Sequence, residues 1–217
     1  HQTLGDLHLA FERLGRPDQY RRELDLQTGL ARTTFTAGGA RHTREVFASA
    51  VDDVLVIRLG ADAPGRQTLR VTLDRPADFE TEALEDGRLA MRGRAQHDGR
   101  HPGARYRVEV KALPEGGSLR IDGDALVIED ADAVTLIVAA GTDYNRANPA
   151  EPHPHFVRPI EAALFAAADR TYDNLHAAHV TEHRAWMDRC TLDLGGHERR
   201  STPTDERLAA VKEGGTD

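Results

Sequence analysis

Forty residues, Tyr20 to Leu59, leave this chain little choice of fold. Leu24 and Leu26 alternate with polar residues until Thr28-Gly29 breaks the run. Ala31, Thr33 and Phe35 then point one way, and Ala37-Gly38-Gly39 turns the chain. Thr43, Val46 and Phe47 lead into Val54-Leu55-Val56-Ile57. A period of two sets one face of a strand on a core and the other in water. Glycine pairs and Thr-Gly supply the positive φ that tight hairpin turns require. Consecutive antiparallel strands joined by short turns satisfy that pattern.

The same grammar continues to about residue 142. Leu7, Leu9 and Phe11 alternate, as do Leu69, Val71 and Leu73, and Leu89 with Met91 follows an Asp86-Gly87 turn. Tyr106, Val108 and Val110 alternate, and Leu119 with Ile121 faces Leu126 to Ile128 across Asp122-Gly123. Asp98-Gly99 and Pro102-Gly103 mark another loop. Val134 to Ala140 is a fuller apolar run, suited to a strand buried on both faces. Roughly ten strands at short spacing predict a sandwich rather than a parallel α/β sheet.

Size and charge narrow the functional classes. A chain of 217 residues can bury a core without disulfides or metals. Its net charge of −8, with Arg and Asp spread throughout, argues against a nucleic-acid partner, which requires a clustered basic surface. No apolar run approaches the ~20 residues that span a bilayer, so no membrane partner is expected. The single cysteine, Cys190, excludes an intramolecular disulfide and reads as a small helix-packing hydrophobe. The chain opens without Met, already strand-like, and closes just after a Gly-Gly. A piece of a longer protein is the expectation, and its localisation, cytoplasmic or secreted, stays open.

Beyond the strands the period changes. Residues 143–159, DYNRANPAEPHPHFVRP, hold four of the ten prolines and carry no period, as a loop does. Ile160, Leu164, Ala167, Thr171, Leu175, His179, Trp186 and Cys190 then fall on one face of a helix spanning about 160–189. A short strand, TLDLG, follows. Ser201 or Thr202 could cap at Pro203, and TDERLAAVKEG reads as a last helix with Thr204 as cap and Gly214 as stop.

Candidate chemistry is sparse. His176, His179 and His183 share one helix face at spacings that permit a metal, yet no His-Glu-x-x-His is present. A helix laying imidazole edges on the sandwich is the favoured explanation. His153 and His155 sit between prolines in a surface loop. Asp52-Asp53 and Glu129-Asp130 read as turn residues. Asp143, Tyr144, Asn145 and Arg146 form the densest polar constellation, at the end of a predicted strand. They are the candidates for a substrate rim, with Arg and Asn as donors to hydroxyls and Tyr as a stacking face; loop stabilisation is the competing role. No Gly-x-Ser-x-Gly elbow, phosphate-binding loop or Cys-x-x-Cys occurs, and no cofactor is indicated. The 5% aromatic content, with Trp186 on a helix, gives little material for a free-standing sugar-binding platform.

One resemblance covers nearly the whole chain in order. QTLGDLHLAF at the start, Tyr20-Arg21-Arg22-Glu23-Leu24-Asp25-Leu26, Ala31-Arg32 and Thr43 to Ser49 resemble successive strands of glycoside hydrolase family 95. His179, Arg184, Asp188-Arg189 and Leu192 to Gly195 resemble a family helix and the strand after it. Pro203 to Leu208 and Lys212 to Asp217 resemble the entry to its catalytic region. Thr3 stands where proline is usual, and His183 where tyrosine is. The resemblance implies a mainly β fold, an antiparallel β-supersandwich followed by linker α-helices. Residues 1–142 would be the N-terminal sandwich without its first strands, 143–159 a proline-rich loop, and 160–217 linker helices. It implies a parent inverting α-L-fucosidase, some relatives acting on α-L-galactosides, whose catalytic residues lie in an (α/α)6 barrel. No catalytic residue of that family has a counterpart in these 217 residues. The implied partners are that barrel and a fucosylated glycan, with self-association through the face the barrel would cover. A carbohydrate-binding or assembly module without catalysis is the alternative.

Overall fold

A computed structural model describes residues 3–12, 14–95, 99, 103–193, 195 and 201–215. Gln2, Asp98, Pro102, Leu194, Thr216 and Asp217, used in the sequence reading, lie outside that set. Twelve strands are described: β1 (Asp6–Phe11), β2 (Asp18–Asp25), β3 (Leu30–Ala37), β4 (Ala40–Ser49), β5 (Val54–Ala61), β6 (Gln67–Asp74), β7 (Phe79–Leu84), β8 (Arg88–Arg94), β9 (Arg105–Glu115), β10 (Ser118–Asp122), β11 (Ala125–Ala131) and β12 (Ala133–Thr142). Three helices follow: α1 (Val157–Ala168), α2 (Tyr172–Met187) and α3 (Thr204–Lys212).

The strands form two antiparallel sheets. One has the order β1-β6-β11-β10, the other β2-β3-β4-β5-β12-β9-β8-β7. Between them lies a core in which Leu69, Val71, Leu126 and Ile128 of the small sheet meet Leu59, Leu89, Val108, Val110, Val134 and Leu136 of the large one. Apolar burial on this scale drives the assembly, at roughly 1.5–3 kcal/mol per fully buried aliphatic side chain. The large sheet has a second covered face. There Phe47, Val56, Ile137 and Ala139 pack against Ile160, Leu164 and Ala167 of α1 and Leu175 of α2. β12 therefore serves both cores, Leu136 facing one and Ile137 the other, which is why its sequence is apolar without alternation. The result is a sandwich with helices as a third layer, and the expectation of a mainly β fold holds.

Several local expectations are corrected. Leu24 and Leu26 do not enter a core: they are 61% and 64% exposed, Leu24 because β2 is an edge strand and Leu26 because it lies in the turn that follows. Charged side chains and an irregularity between Asp18 and Arg21 guard that edge against pairing with another chain. Glu129-Asp130 is no turn but a bulge within β11, with Asp130 at φ 53°. The helix expected across 160–189 is two helices, broken at 169–171, where the Thr171 hydroxyl caps α2 by accepting from the Asn174 amide at 3.3 Å. Trp186 is 63% exposed and Cys190, beyond the end of α2, is exposed, so neither packs inward. Thr191 to Asp193 form no strand. Pro203, not Thr204, occupies the cap position of α3, and Gly214 ends that helix at φ 93°.

Candidate functional site

Asp143 closes β12 and is buried at 3% exposure. Its carboxylate accepts the Arg105 backbone amide at 2.8 Å and the Arg105 Nε at 2.7 Å. Its own amide donates to the Arg105 carbonyl at 3.0 Å, and its carbonyl accepts from the His153 amide at 2.8 Å. One residue thus fastens the proline-rich loop to β9 at both its start and its return. Asn145 folds the loop on itself: Oδ1 accepts from the amides of Ala147 and Asn148, and Nδ2 donates to the Glu151 carbonyl at 3.0 Å. Tyr144, 57% exposed, and Arg146, also exposed, project from this frame. Of the four candidates, two build the loop and two are presented to solvent. α1 begins at Val157, within the segment read as loop.

On the inner side of the loop lies a cleft of about 470 Å³ between the end of β12 and α1. Ile160, Ala163 and Phe156 give it apolar walls, and Asp53, His153 and His155 give it polar ones. A second cleft, of about 590 Å³, lies across Phe156 on the far side, over β7, β8 and β9. Arg92 pairs across the ladder with Arg107, and Arg94 with Arg105, so four guanidinium groups stand on one face of two adjacent strands. Arg92 binds Glu80 at 3.0 Å, Arg94 donates to the Gly103 carbonyl at 2.9 Å, and Arg105 holds Asp143. Arg107 donates Nε to Glu109 Oε1 at 2.5 Å, while Arg88 donates to Oε2 at 2.7 Å. Glu109, two residues along β9 from Arg107 on the same face, is fully buried. Sequence reading passed over these arginines. Their signal is the repeated pattern Arg-x-Arg at 92–94 and 105–107 in neighbouring strands, visible only once the register is known.

The helix histidines are brought together by packing. His179 is 4% exposed and lies on the Phe47 ring, centroids 4.7 Å apart. His176 meets the same ring edge-on at 5.9 Å, and His183 leans on His179 at 5.7 Å. His183 Nε2 is 2.9 Å from the Leu26 carbonyl. Gly29, at φ 64°, lets the Thr28-Gly29 turn slide under His183, where a Cβ would come within 2.8 Å of the imidazole. Burial lowers the pKa of His179, so the ring is seated neutral. The three-ligand cluster found among the described residues lies elsewhere: exposed Asp6, His8 and Asp74 on β1 and β6, with donor atoms within 4.8 Å of one another. In that cluster His8 Nε2 contacts Asp74 at 3.0 Å.

The architecture is a two-sheet sandwich with helices on its broad face, its buried acids Glu109 and Asp143 paired with arginines. The chain belongs to the family described as glycosyl hydrolase family 65, N-terminal domain, whose profile matches residues 1–147. That corrects the family number the resemblance carried: the matching family is 65, not 95. Among curated relatives the chain is 25% identical to "Alpha-L-fucosidase 2" of Arabidopsis thaliana over 98% of its own length and 29% of the relative's. It is 26% identical to "Probable alpha-fucosidase A" of Aspergillus niger, over 99% of its length and 28% of that protein's. The chain thus spans less than a third of these relatives. A solved structure, "Putative kojibiose phosphorylase from human microbiome", shares the fold with a TM-score of 0.51 at 10% identity, covering 82% of this chain and 27% of that one.

Proposed function

We propose that this chain is the non-catalytic N-terminal domain and linker of a glycoside hydrolase that removes terminal α-L-fucosyl, or α-L-galactosyl, groups with inversion. The observation that carries this reading is the near-complete span of the chain by proteins named α-fucosidases, together with the family match over residues 1–147. Inversion uses one carboxylic acid to protonate the leaving oxygen and one carboxylate to activate water. The buried acids of this domain are committed otherwise: Asp143 to Arg105, and Glu109 to Arg88 and Arg107.

The domain's role is support. The strands up to Thr142 form the sandwich, the proline-rich segment leaves it, and α1 to α3, from Val157 on, lead to an (α/α)6 catalytic domain of the same polypeptide. Trp186, Leu192, Leu208 and Val211 are exposed along that helical part and supply an apolar surface for such packing, or for self-association when it is uncovered. Tyr144 and Arg146, exposed on the loop that Asp143 and Asn145 build, are the residues we assign to contact with a fucosylated glycan at the pocket rim.

The test compares the 217-residue chain with the longer protein on a fucosylated oligosaccharide, following the released sugar by NMR. Inverted fucose from the longer protein and no turnover by the chain is the expected result. Turnover by the chain itself, or release of a different sugar by the longer protein, overturns the proposal.

A further inference from the structure

The arginine cleft over β7, β8 and β9 has features that a merely structural salt-bridge cluster does not need. Four guanidinium groups on directly opposed positions repel one another across the ladder. Buried counter-charges hold two of them. Glu109, fully buried, takes Arg107 through Nε, and Asp143, 3% exposed, takes Arg105 through Nε. Each guanidinium has five N–H donors in a fixed fork. A grip at Nε stops rotation of the fork while leaving its terminal nitrogens for another acceptor. Arg94 holds a carbonyl rather than a carboxylate among the described residues. The cleft also has aromatic walls. The Phe156 ring lies 5.5 Å from the Arg105 guanidinium, and Phe79, 37% exposed, stands at the rim.

We propose that this cleft is a binding site for an acidic sugar, the carboxylate of a uronate residue in an oligosaccharide, gripped by Arg94, Arg105 and Arg107. Glu109 and Asp143 act as positioning residues for those arginines. Planar guanidinium forks match a carboxylate in two parallel hydrogen bonds. The aromatic walls take the C–H face of a pyranose, and about 590 Å³ exceeds what a free inorganic anion fills. The site is independent of hydrolysis by the parent enzyme: it gives this domain a substrate-anchoring function of its own, for glycans that carry acidic residues.

The test uses the full 217-residue chain and calorimetry with digalacturonate, its neutral methyl ester, and inorganic phosphate. Digalacturonate binds, the methyl ester binds about tenfold more weakly or worse, and phosphate fails to displace the sugar at equal concentration. Raising salt weakens the acidic ligand and not the ester. Arg107→Gln removes binding but also disturbs Glu109, so Arg94→Gln is the deciding variant: it keeps the thermal midpoint and lowers affinity by about tenfold. Equal affinity for ester and acid, equal displacement by phosphate, full binding by Arg94→Gln, or no binding of digalacturonate in the millimolar range each overturns the proposal.

Discussion

His179 of α2 lies nearly flat on Phe47 of β4, ring centroids 4.7 Å apart and planes 23° from parallel. That stack is one of the contacts that join the helical layer to the sheet, beside Leu175 and the edge-on His176. Neither imidazole nitrogen closes a hydrogen bond, although the backbone of Thr28 and Gly29 lies beside the ring. Burial lowers its pKa, and neighbouring His183 and His176 act in the same direction. His42 is in a like position on Phe35, 5.1 Å away at 8°, its pKa lowered by burial and by Arg44 and Arg66.

These two residues set an acid limit on stability. A histidine whose folded pKa is depressed contributes stability that is present above the unfolded value near 6.5 and is lost as pH falls through that value towards the folded one. The thermal midpoint is therefore expected to drop between about pH 7.5 and pH 5, with ordinary carboxylates contributing little in that window. His179→Phe keeps the stack and removes the proton, so the drop shrinks, and adding His42→Phe shrinks it further. Midpoints measured by circular dichroism at both pH values check this, and an unchanged drop in the double variant contradicts it.

Tyr172 begins α2 and donates its hydroxyl to Glu45 Oε2 at 2.6 Å, while Arg32 holds the other oxygen. Burial, with the Glu45 carboxylate beside it, raises the tyrosine pKa far above its ordinary value. Burial also opposes ionisation of Glu45, but the Tyr172 and Arg32 hydrogen bonds outweigh it and hold that carboxyl below the usual range. Tyr172→Phe is expected to cost about 1–3 kcal/mol, the value of a hydrogen bond to a charged group. Urea unfolding at neutral pH reads that loss, and it should shrink in acid once Glu45 is protonated.

How much of this was legible varies by element. β3 runs between glycine-marked turns, the β4–β5 turn is marked by Asp52-Asp53 instead, and each of β3, β4 and β5 places at least one large apolar residue, Leu30, Phe47 or Val56, on a covered face. β12 was legible as a strand buried on both sides from Val134 to Ala140 alone. Leu24 and Leu26 misled because alternation records what a strand could bury, not whether a layer lies over it. The break between α1 and α2 is held by Arg170, which pairs with Asp52 from a turn 118 residues away, a contact no local pattern contains. The four arginines of the cleft were hidden for a similar reason: Arg92 opposite Arg107 is a statement about register. Asp143 and Asn145 were found by polarity, but only geometry shows that they build the loop while Tyr144 and Arg146 face outward.

Glu109 is the test of that arginine array. Its side chain is inaccessible, bound by Arg88 at 2.7 Å and Arg107 at 2.5 Å. Removing one partner of a buried ion pair leaves the other charge uncompensated, at about 3–5 kcal/mol. Glu109→Gln should therefore lower stability by that order in urea unfolding. Glu80→Gln, whose side chain is 76% exposed beside Arg92, should change it by less than about 1 kcal/mol. Similar effects from the two substitutions would show that burial does not set the strength of this network.

The turn from β9 to β10 makes the last prediction, through Gly116-Gly117. Gly117 has φ 63°, and a Cβ there would stand 2.2 Å from the Glu129 carbonyl and 2.6 Å from the Ala131 amide, against the bulge of β11. Gly123, in the next hairpin turn, has φ 64° but nothing within 4 Å of its would-be Cβ. Both positions disfavour alanine by about 1–2 kcal/mol for the left-handed backbone alone. Only Gly117→Ala must also push the bulge aside, because the opposing atoms are backbone and cannot rotate away. Chemical unfolding should place Gly117→Ala at least about 1 kcal/mol below Gly123→Ala, the scale of an added packing clash. Amide exchange should show faster opening at Glu129 to Ala131 in the first variant and native protection there in the second. Equal losses would mean that the turn yields more easily than the bulge it rests on.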